Sequence, residues 1–222
     1  MTADQRYQRW VDQLERIIQE VHNAHLYRHL WSGLVQMTQA AELPPSVIFD
    51  ALGIWYTSTQ GVNVRRQVDR TKGVVSLYRL LDEIAGHPGV VSRDRHVALW
   101  DGHDDEVWAT PAHENYDRFS GARERNTIDP ELVRADLVAL VKASSVVEDY
   151  VNEAITHAAD ELKHAVPTYE DLNAAIDEIG RLVQKYWSLL TAQRLATLVP
   201  TIHYDWQEPF RQAWLPSGVG SE

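Results

Sequence analysis

The chain has 222 residues, a formal net charge of -11 and no cysteine. The lack of cysteine excludes disulfides, thiolate zinc sites and a cysteine nucleophile, and the acidic balance restricts any nucleic-acid site to a local basic patch. The sequence has neither the run of roughly 18 apolar residues that spans a membrane nor the basic and apolar regions of a secretory signal. We therefore expect a cytoplasmic protein that does not associate with membranes.

Apolar residues at helical spacing predict three helices in the first part of the chain, over about 4–37, 46–70 and 76–86. A Pro-Pro pair separates the first two helices, and Ser46 and Ser76 are the candidate N-caps of the second and third. The apolar residues that share one face of the second helix are Ile48, Leu52 and Trp55.

The stretch over about 86–126 is different in kind. It is rich in Gly, Pro, Asp, His and Arg and contains only short pieces of regular periodicity. Because it is too long for a plain connection, it predicts an irregular insertion that is either functional or mobile.

Regular helical periodicity resumes at Asp129. This N-cap residue, followed by proline, predicts a helix that runs to about Lys163. Thr168, with Asp171 three residues later, predicts the capping box of the next helix, which ends near 199–200. The predicted buried stripe of the first of these helices comprises Leu137, Leu140, Val141, Val147, Val151, Ala154, Ile155, Ala158 and Leu162.

The tail carries Trp206, Phe210 and Trp214 at spacings of four, which predicts a last helical turn docked on the other helices. Together these elements predict an all-α fold. We expect a bundle of four to five main helices in a single domain over 1–222, with one long irregular insertion at about 86–126.

A polar stripe on the long helix is the first candidate site. Residues three, four and seven apart share a helical face, which groups Tyr150, Glu153, His157, Glu161 and His164. The acids four residues on either side of His157 favour its protonated form, and a histidine that titrates near neutral pH is a usable general acid or base. The alternative is a solvated helix face with ordinary charge pairs.

Metal binding has two weak candidates. The Glu161–His164 spacing is that of di-iron helical bundles, but the chain contains no second pair of this kind. His22, His25 and His29 share a face of the first helix, without a matching carboxylate cluster. We expect no metal and no cofactor.

The densest basic run contains Arg65, Arg66 and Arg70, with Asp69 among them. Guanidinium groups on one helical turn can hold a phosphate through paired hydrogen bonds. The same pattern is typical of a helix C-terminus, where cations interact favourably with the helix dipole.

Three segments resemble the HEPN-like proteins of the abortive-infection AbiU type, helical bundles linked to phage defence. They are RRQVDRTKGVVSLYRLLDEI (65–84), YVNEAITHAADELKHAVPTYEDLNAAIDEI (150–179) and the Trp-rich end around YDWQEPFRQAW. The resemblance covers most of the chain outside the insertion. It implies a homodimer in which an Arg and a His, four to six residues apart, face a shared cleft and form a metal-independent ribonuclease.

Only some of the family's motif residues have a match in this chain. His157 matches the family histidine and Asn152 the polar residue that follows the arginine, but Val151 stands where the arginine is expected. Position 159, where the family has an acid, is Ala159. A missing cation at a transition-state charge costs orders of magnitude in rate.

Two functional classes follow. One is a non-catalytic homodimer that binds RNA, a nucleotide or an antitoxin-like protein, or serves as a scaffold. The other is an active endoribonuclease in which His157 and Asn152 are catalytic while Tyr150 and the arginines Arg65, Arg66 and Arg70 bind substrate. The missing arginine and the acidic net charge favour the first.

Overall fold

The computed structural model describes residues 1–100, 109–156 and 163–211. Across these ranges all regular structure is helical, with seven α-helices and no strand, which confirms the all-α fold class. The α-helices are α1 (Ala3–Ala40), α2 (Val47–Gln67), α3 (Leu77–Gly86), α4 (Arg93–Ala98), α5 (Ala109–Ser120), α6 (Pro130–Tyr150) and α7 (Tyr169–Thr191). None of these helices is long and apolar enough to cross a membrane.

Helix α1 begins at the capping box that Thr2 forms with Gln5. The Thr2 hydroxyl accepts from the Gln5 amide (3.2 Å), and the Gln5 side chain accepts from the Thr2 amide (3.0 Å). The first helix extends slightly beyond its predicted bounds at both ends. Its buried face comprises Trp10, Leu14, Ile17, Ile18, Val21, Ala24 and His25.

Helix α2 differs from its prediction in length and orientation. It ends at Gln67 rather than near Arg70, and the Ser46 side chain makes no capping hydrogen bond. The face of Ile48 and Trp55 is exposed, because α2 turns a different set of residues towards the core. This buried set is Tyr56, Gln60, Gly61, Val64 and Gln67.

The 86–126 segment is helical over most of its described length, which corrects the expected irregular insertion. A 3₁₀ turn (Pro88–Val90), α4 and α5 pack against the bundle. Arg93 holds this segment together from a buried position, donating to Asp117 (2.7 Å) and to the carbonyl of Arg125 (3.2 Å). Its guanidinium also lies 4.8 Å from the centre of the Tyr116 ring. Residues 101–108 lie outside the described ranges.

Helix α6 begins as predicted, with the Asp129 carboxylate accepting from the Glu131 amide (3.0 Å). It gives way to a π-helical turn at Val151–Thr156 instead of running to Lys163. The Lys163 amide donates to the Glu153 carboxylate (3.1 Å), whereas ten residues of straight α-helix would separate the two backbones by about 15 Å. Of the predicted stripe, the described residues that are buried are Leu137, Leu140, Val147 and Val151.

Helix α7 lies at the centre of the bundle and contacts α1, α2 and α6. Its predicted capping box is present, since Thr168 accepts from the Asp171 amide (3.1 Å) and Asp171 accepts from the Thr168 amide (2.9 Å). The helix ends at Thr191, earlier than predicted, because Ala192 adopts the left-handed conformation (φ 55°).

The tail returns to α1. Trp206 packs against Gly33, where a Cβ atom would lie 2.6 Å from its ring, and edge-on to His29. A 3₁₀ turn at Glu208–Arg211 replaces the predicted helical turn, and Trp214 lies outside the described residues.

Candidate functional site

Two of the predicted site residues meet where α2 ends against the π-helical turn. Nε of Arg65 donates to Oδ1 of Asn152 at 2.9 Å, although the two residues are 87 positions apart. The sequence offered three arginines from another helix as the missing cation, and the structure brings Arg65 to Asn152.

The π-helical turn itself is held by a close approach of α2. A Cβ atom at Gly61 would lie 2.9 Å from Cγ2 of Val151, so only glycine permits this spacing. Val151 is 2% exposed and is therefore buried inside its own chain, where the family arginine would be expected. Short π-helical turns within helices are rare and occur often at functional sites.

Each arginine of the basic run has a carboxylate partner. Nη1 of Arg65 lies 2.9 Å from the Asp69 carboxylate. The Arg66 guanidinium lies 2.6 Å from Glu20, which also accepts from the Gln67 amide group. These pairs neutralise the positive charge that the sequence concentrates at the end of α2.

Arg70 completes the pattern. Its guanidinium is 3.7 Å from the Glu148 carboxylate and 5.2 Å from the centre of the Tyr78 ring. Burial raises the pKa of Glu148, while Arg70 and Arg65 oppose that rise. Burial also acts to raise the pKa of Asp69, but hydrogen bonds from Thr71 and Arg65 outweigh it, so the pKa of Asp69 lies below its usual value.

The rest of the predicted polar stripe is arranged differently. Glu153 accepts from Nδ1 of His164 (2.7 Å) and from the backbone amides of Lys163 and His164. Burial acts to raise the pKa of Glu153, and these hydrogen bonds lower it below the usual range. The Glu153 carboxylate is thus occupied by His164. His157 and Glu161 lie outside the described residues.

No protein-family model, curated protein or solved structure matches this chain. The chemistry of the site therefore rests on its own geometry.

Tyr150 lies on a small cavity beside the Arg65–Asn152 contact. The cavity has a volume of about 210 Å³, and Gly61, one helical turn before Arg65, forms part of its wall. Its other lining residues are Thr57, Val147, Val166, Pro167, Thr168, Tyr169 and Leu172. Apart from the tyrosine hydroxyls and two threonines, this lining is apolar, so the cavity suits a small, mostly apolar group.

Three aromatic rings are stacked next to this cavity, a feature that sequence reasoning missed. The ring of Tyr56 lies 5.2 Å from Trp31 and 6.3 Å from Tyr169, with interplanar angles of 15° and 20°. The contact joins α1, α2 and α7. No spacing along the sequence indicates this ring contact, because its three residues are far apart in the chain.

The histidines of α1 do not form a metal site. Nδ1 of His25 accepts from Nη2 of Arg28 (3.1 Å), and its buried Nε2 makes no well-formed hydrogen bond among the described residues. Burial, then the Arg28 charge, lowers the pKa of His25 to about 4. Within the described part of the chain, no group of three His, Asp or Glu side chains could hold a metal ion.

A buried carboxylate on α6 has a structural role. Asp136 accepts from the Tyr186 hydroxyl (2.8 Å) and from Nζ of Lys185 (2.5 Å), and lies 3.3 Å from Arg181. Its two oxygens are therefore fully engaged with α7. This network stabilises the α6–α7 contact and leaves no free acid or base for chemistry.

Proposed function

We propose that this chain is a HEPN-like protein of the bacterial defence or toxin type that works as a cytoplasmic homodimer and binds a partner without cleaving RNA. The observation that carries this proposal is the pairing of the arginines at the end of α2 with carboxylates. An antitoxin-like protein is the partner that this charge pattern favours over RNA.

The physical reason is electrostatic. Cleavage of RNA develops negative charge on the reacting phosphate, and a fixed cation must face that charge. Here each guanidinium would have to leave a carboxylate before it could hold a phosphate. Asp149 at the end of α6 and Glu153 in the π-helical turn add further negative charge, so the region repels a polyanion.

The position of Val151 supports the same conclusion. Because it is buried against Gly61, the residue that replaces the family arginine belongs to the core of the bundle rather than to a cleft. Position 151, where the family motif has its arginine, therefore supplies no cation to the site.

One observation favours the alternative, a metal-independent endoribonuclease. The Arg65 guanidinium contacts Asn152 within one chain, so a cation does reach the π-helical turn. In that case Arg65 would stabilise the phosphate and His157 would act as general acid or base.

A cleavage assay separates the two functions. Purified protein is incubated with total RNA in the presence of a chelator, beside His157→Ala and Arg65→Gln prepared identically. We expect no cleavage by any of the three. Cleavage that survives chelation and disappears in both variants would establish the ribonuclease instead.

A binding assay addresses RNA as a ligand. Fluorescence anisotropy with labelled single-stranded RNA is expected to show weak binding even at low salt, because few counterions are released from a surface of paired charges. Tight binding with a steep dependence on salt concentration would contradict the proposal.

A further inference from the structure

The hairpin formed by the second half of α1 and most of α2 carries almost no charge. From His29 to Val64 the only Asp, Glu, Lys or Arg residues are Glu42 and Asp50, although such residues make up 24% of the whole chain. A solvated helical surface normally carries charged side chains. The hairpin therefore differs from an ordinary solvent-exposed helical surface.

Helix α2 is apolar on its outer as well as its inner face. Its inner face packs on the bundle through Tyr56 and Val64. Its outer apolar residues, all between 38% and 85% exposed, are Val47, Ile48, Ile54, Trp55 and Val62. A helix that is hydrophobic all round is normally covered on all sides.

An apolar groove lies beside these exposed residues, between α1 and α2. It has a volume of about 350 Å³. It is lined by Tyr27, Leu30, Trp31, Leu34, Leu52, Trp55, Tyr56 and Thr59. The molecule thus presents an exposed apolar edge, which begins at Val47 and Ile48, next to a groove of the same chemistry.

We propose that this α1–α2 face is the interface through which two copies of the chain form a two-fold symmetric dimer. In such an interface the same surface serves both copies, so the exposed apolar edge of one copy packs into the groove of the other. The assignment rests on the homodimer in the proposed function and gives it a location. That location is distinct from the helix end that carries Asn152.

The distribution of charge favours a second copy of the chain as the binding partner of this face. Two chains of net charge -11 repel each other over most of their surfaces. The repulsion is least where the contacting surfaces carry no ionised groups, and the 29–64 hairpin carries two in 36 residues. A membrane surface is disfavoured, because interfacial helices carry Lys or Arg beside their apolar face and this hairpin has neither.

The available area is that of a stable dimer. Taking roughly 150–250 Å² for an aromatic residue and about the lower end of that range for Val and Ile, the exposed fractions of Tyr27 and of the outer α2 residues leave on the order of 600 Å² per copy. The half-exposed side chains of the groove add to this figure. Standard protein interfaces bury about 800 Å² per partner.

The test is the mass of the full chain in solution. Light scattering coupled to gel filtration is performed over a dilution series on the wild type, Trp55→Glu, Ile48→Glu and the control Val138→Glu. Val138 is a valine on α6 that is 67% exposed, so the control adds the same charge at a comparably exposed aliphatic position. Circular dichroism checks that each variant remains helical.

We expect the wild type and Val138→Glu to show twice the mass of one 25.4 kDa chain, and both hairpin variants to show the mass of one chain. If the wild type is dimeric and both hairpin variants stay dimeric, the interface assignment fails while the homodimer stands. A monomeric wild type overturns both. Flotation of a monomeric wild type with phosphatidylcholine vesicles, lost in Trp55→Glu, would identify a lipid surface as the occupant instead.

Discussion

His25 predicts that the protein loses stability on mild acidification. His25 is 6% exposed, and Gly180 on α7 leaves room for its ring, since a Cβ there would lie 2.8 Å from Nε2. Burial and the neighbouring Arg28 charge lower the pKa of His25 from 6.5 to about 4. The folded state therefore favours the neutral ring, while the unfolded chain accepts a proton more readily.

The direction and the size of the pH effect follow from the difference in the pKa of His25 between the folded and the unfolded chain. As pH falls below 6.5 the unfolded chain takes up the proton first, so the contribution of His25 is fully present above pH 6.5 and is lost between pH 6.5 and 4. At about 1.4 kcal/mol per pKa unit, the free energy of unfolding loses about 2 kcal/mol by pH 5 and on the order of 3 kcal/mol below pH 4.

Urea denaturation followed by tryptophan fluorescence measures this effect. The free energy of unfolding is determined between pH 7.5 and 5 for the wild type, for His25→Gln and for His113→Gln, which removes an exposed histidine of α5. Any constant cost of the substitution cancels, because only the pH dependence is compared. The contribution of buried His96, whose pKa is also lowered by burial, is common to all three proteins.

We expect the His25→Gln curve to fall by about 2 kcal/mol less than the wild-type curve over this range. The His113→Gln curve should follow the wild type. Parallel curves for His25→Gln and the wild type would refute the reasoning, because they would mean that the ring titrates alike in both states.

Gly180→Ala should lower the free energy of unfolding by about 1–3 kcal/mol, because the added methyl meets the His25 ring and the Leu198 side chain. Gly89→Ala, where a Cβ meets nothing within 4 Å, is the matched control in the same urea titration. Arg93→Ala should cost about 3–5 kcal/mol, because the half-buried Asp117 carboxylate and several carbonyls lose their buried donor. An unchanged urea midpoint would contradict the role of Arg93. Glu148→Gln removes the carboxylate beside the basic run. It should strengthen RNA binding at low salt in the anisotropy assay and change the free energy of unfolding by less than about 1 kcal/mol. An unaltered RNA affinity would argue against charge pairing as the cause of weak binding.

Helix starts were predictable because the groups that define them are close in sequence. The predicted caps Ser76, Asp129 and Thr168 all bind backbone amides two or three residues later, whereas the predicted cap Ser46 makes no such hydrogen bond. Helix ends were less predictable. Helix α7 stops at a left-handed alanine, a conformation that normally signals glycine, and α6 changes to a π-helical turn without proline or glycine at the transition.

The order in the 86–126 segment could not be read from periodicity. Arg93 fixes it through acceptors 20 to 32 residues away, which include the carbonyls of His113 and Arg125. A composition rich in Gly, Pro, Asp, His and Arg predicted an irregular insertion. In the folded protein one of those charges lies buried and supplies the segment with its hydrogen bonds.

The candidate site was predictable only as a set of residue types. Sequence reasoning identified Asn152 and a group of arginines, but the choice of Arg65 depends on the crossing of α2 with the π-helical turn. The carboxylate partners Glu20 and Glu148 come from two other helices. Their positions decide the electrostatic character of the site, and no spacing along the chain indicates them.

The two ends of α2 have opposite electrostatic roles, and both follow from where the acidic residues lie. At the C-terminal end, Asp69, Glu20 and Glu148 surround the arginines and make an isolated phosphate-binding cation unavailable. Along the remainder of the helix, Asp50 is the only ionised residue before Arg65, so the outer face offers apolar area without charge repulsion. This charge distribution disfavours a polyanion at the C-terminal end of α2. In the proposed dimer, it also leaves the outer face of the same helix with little charge to repel an equally acidic second copy.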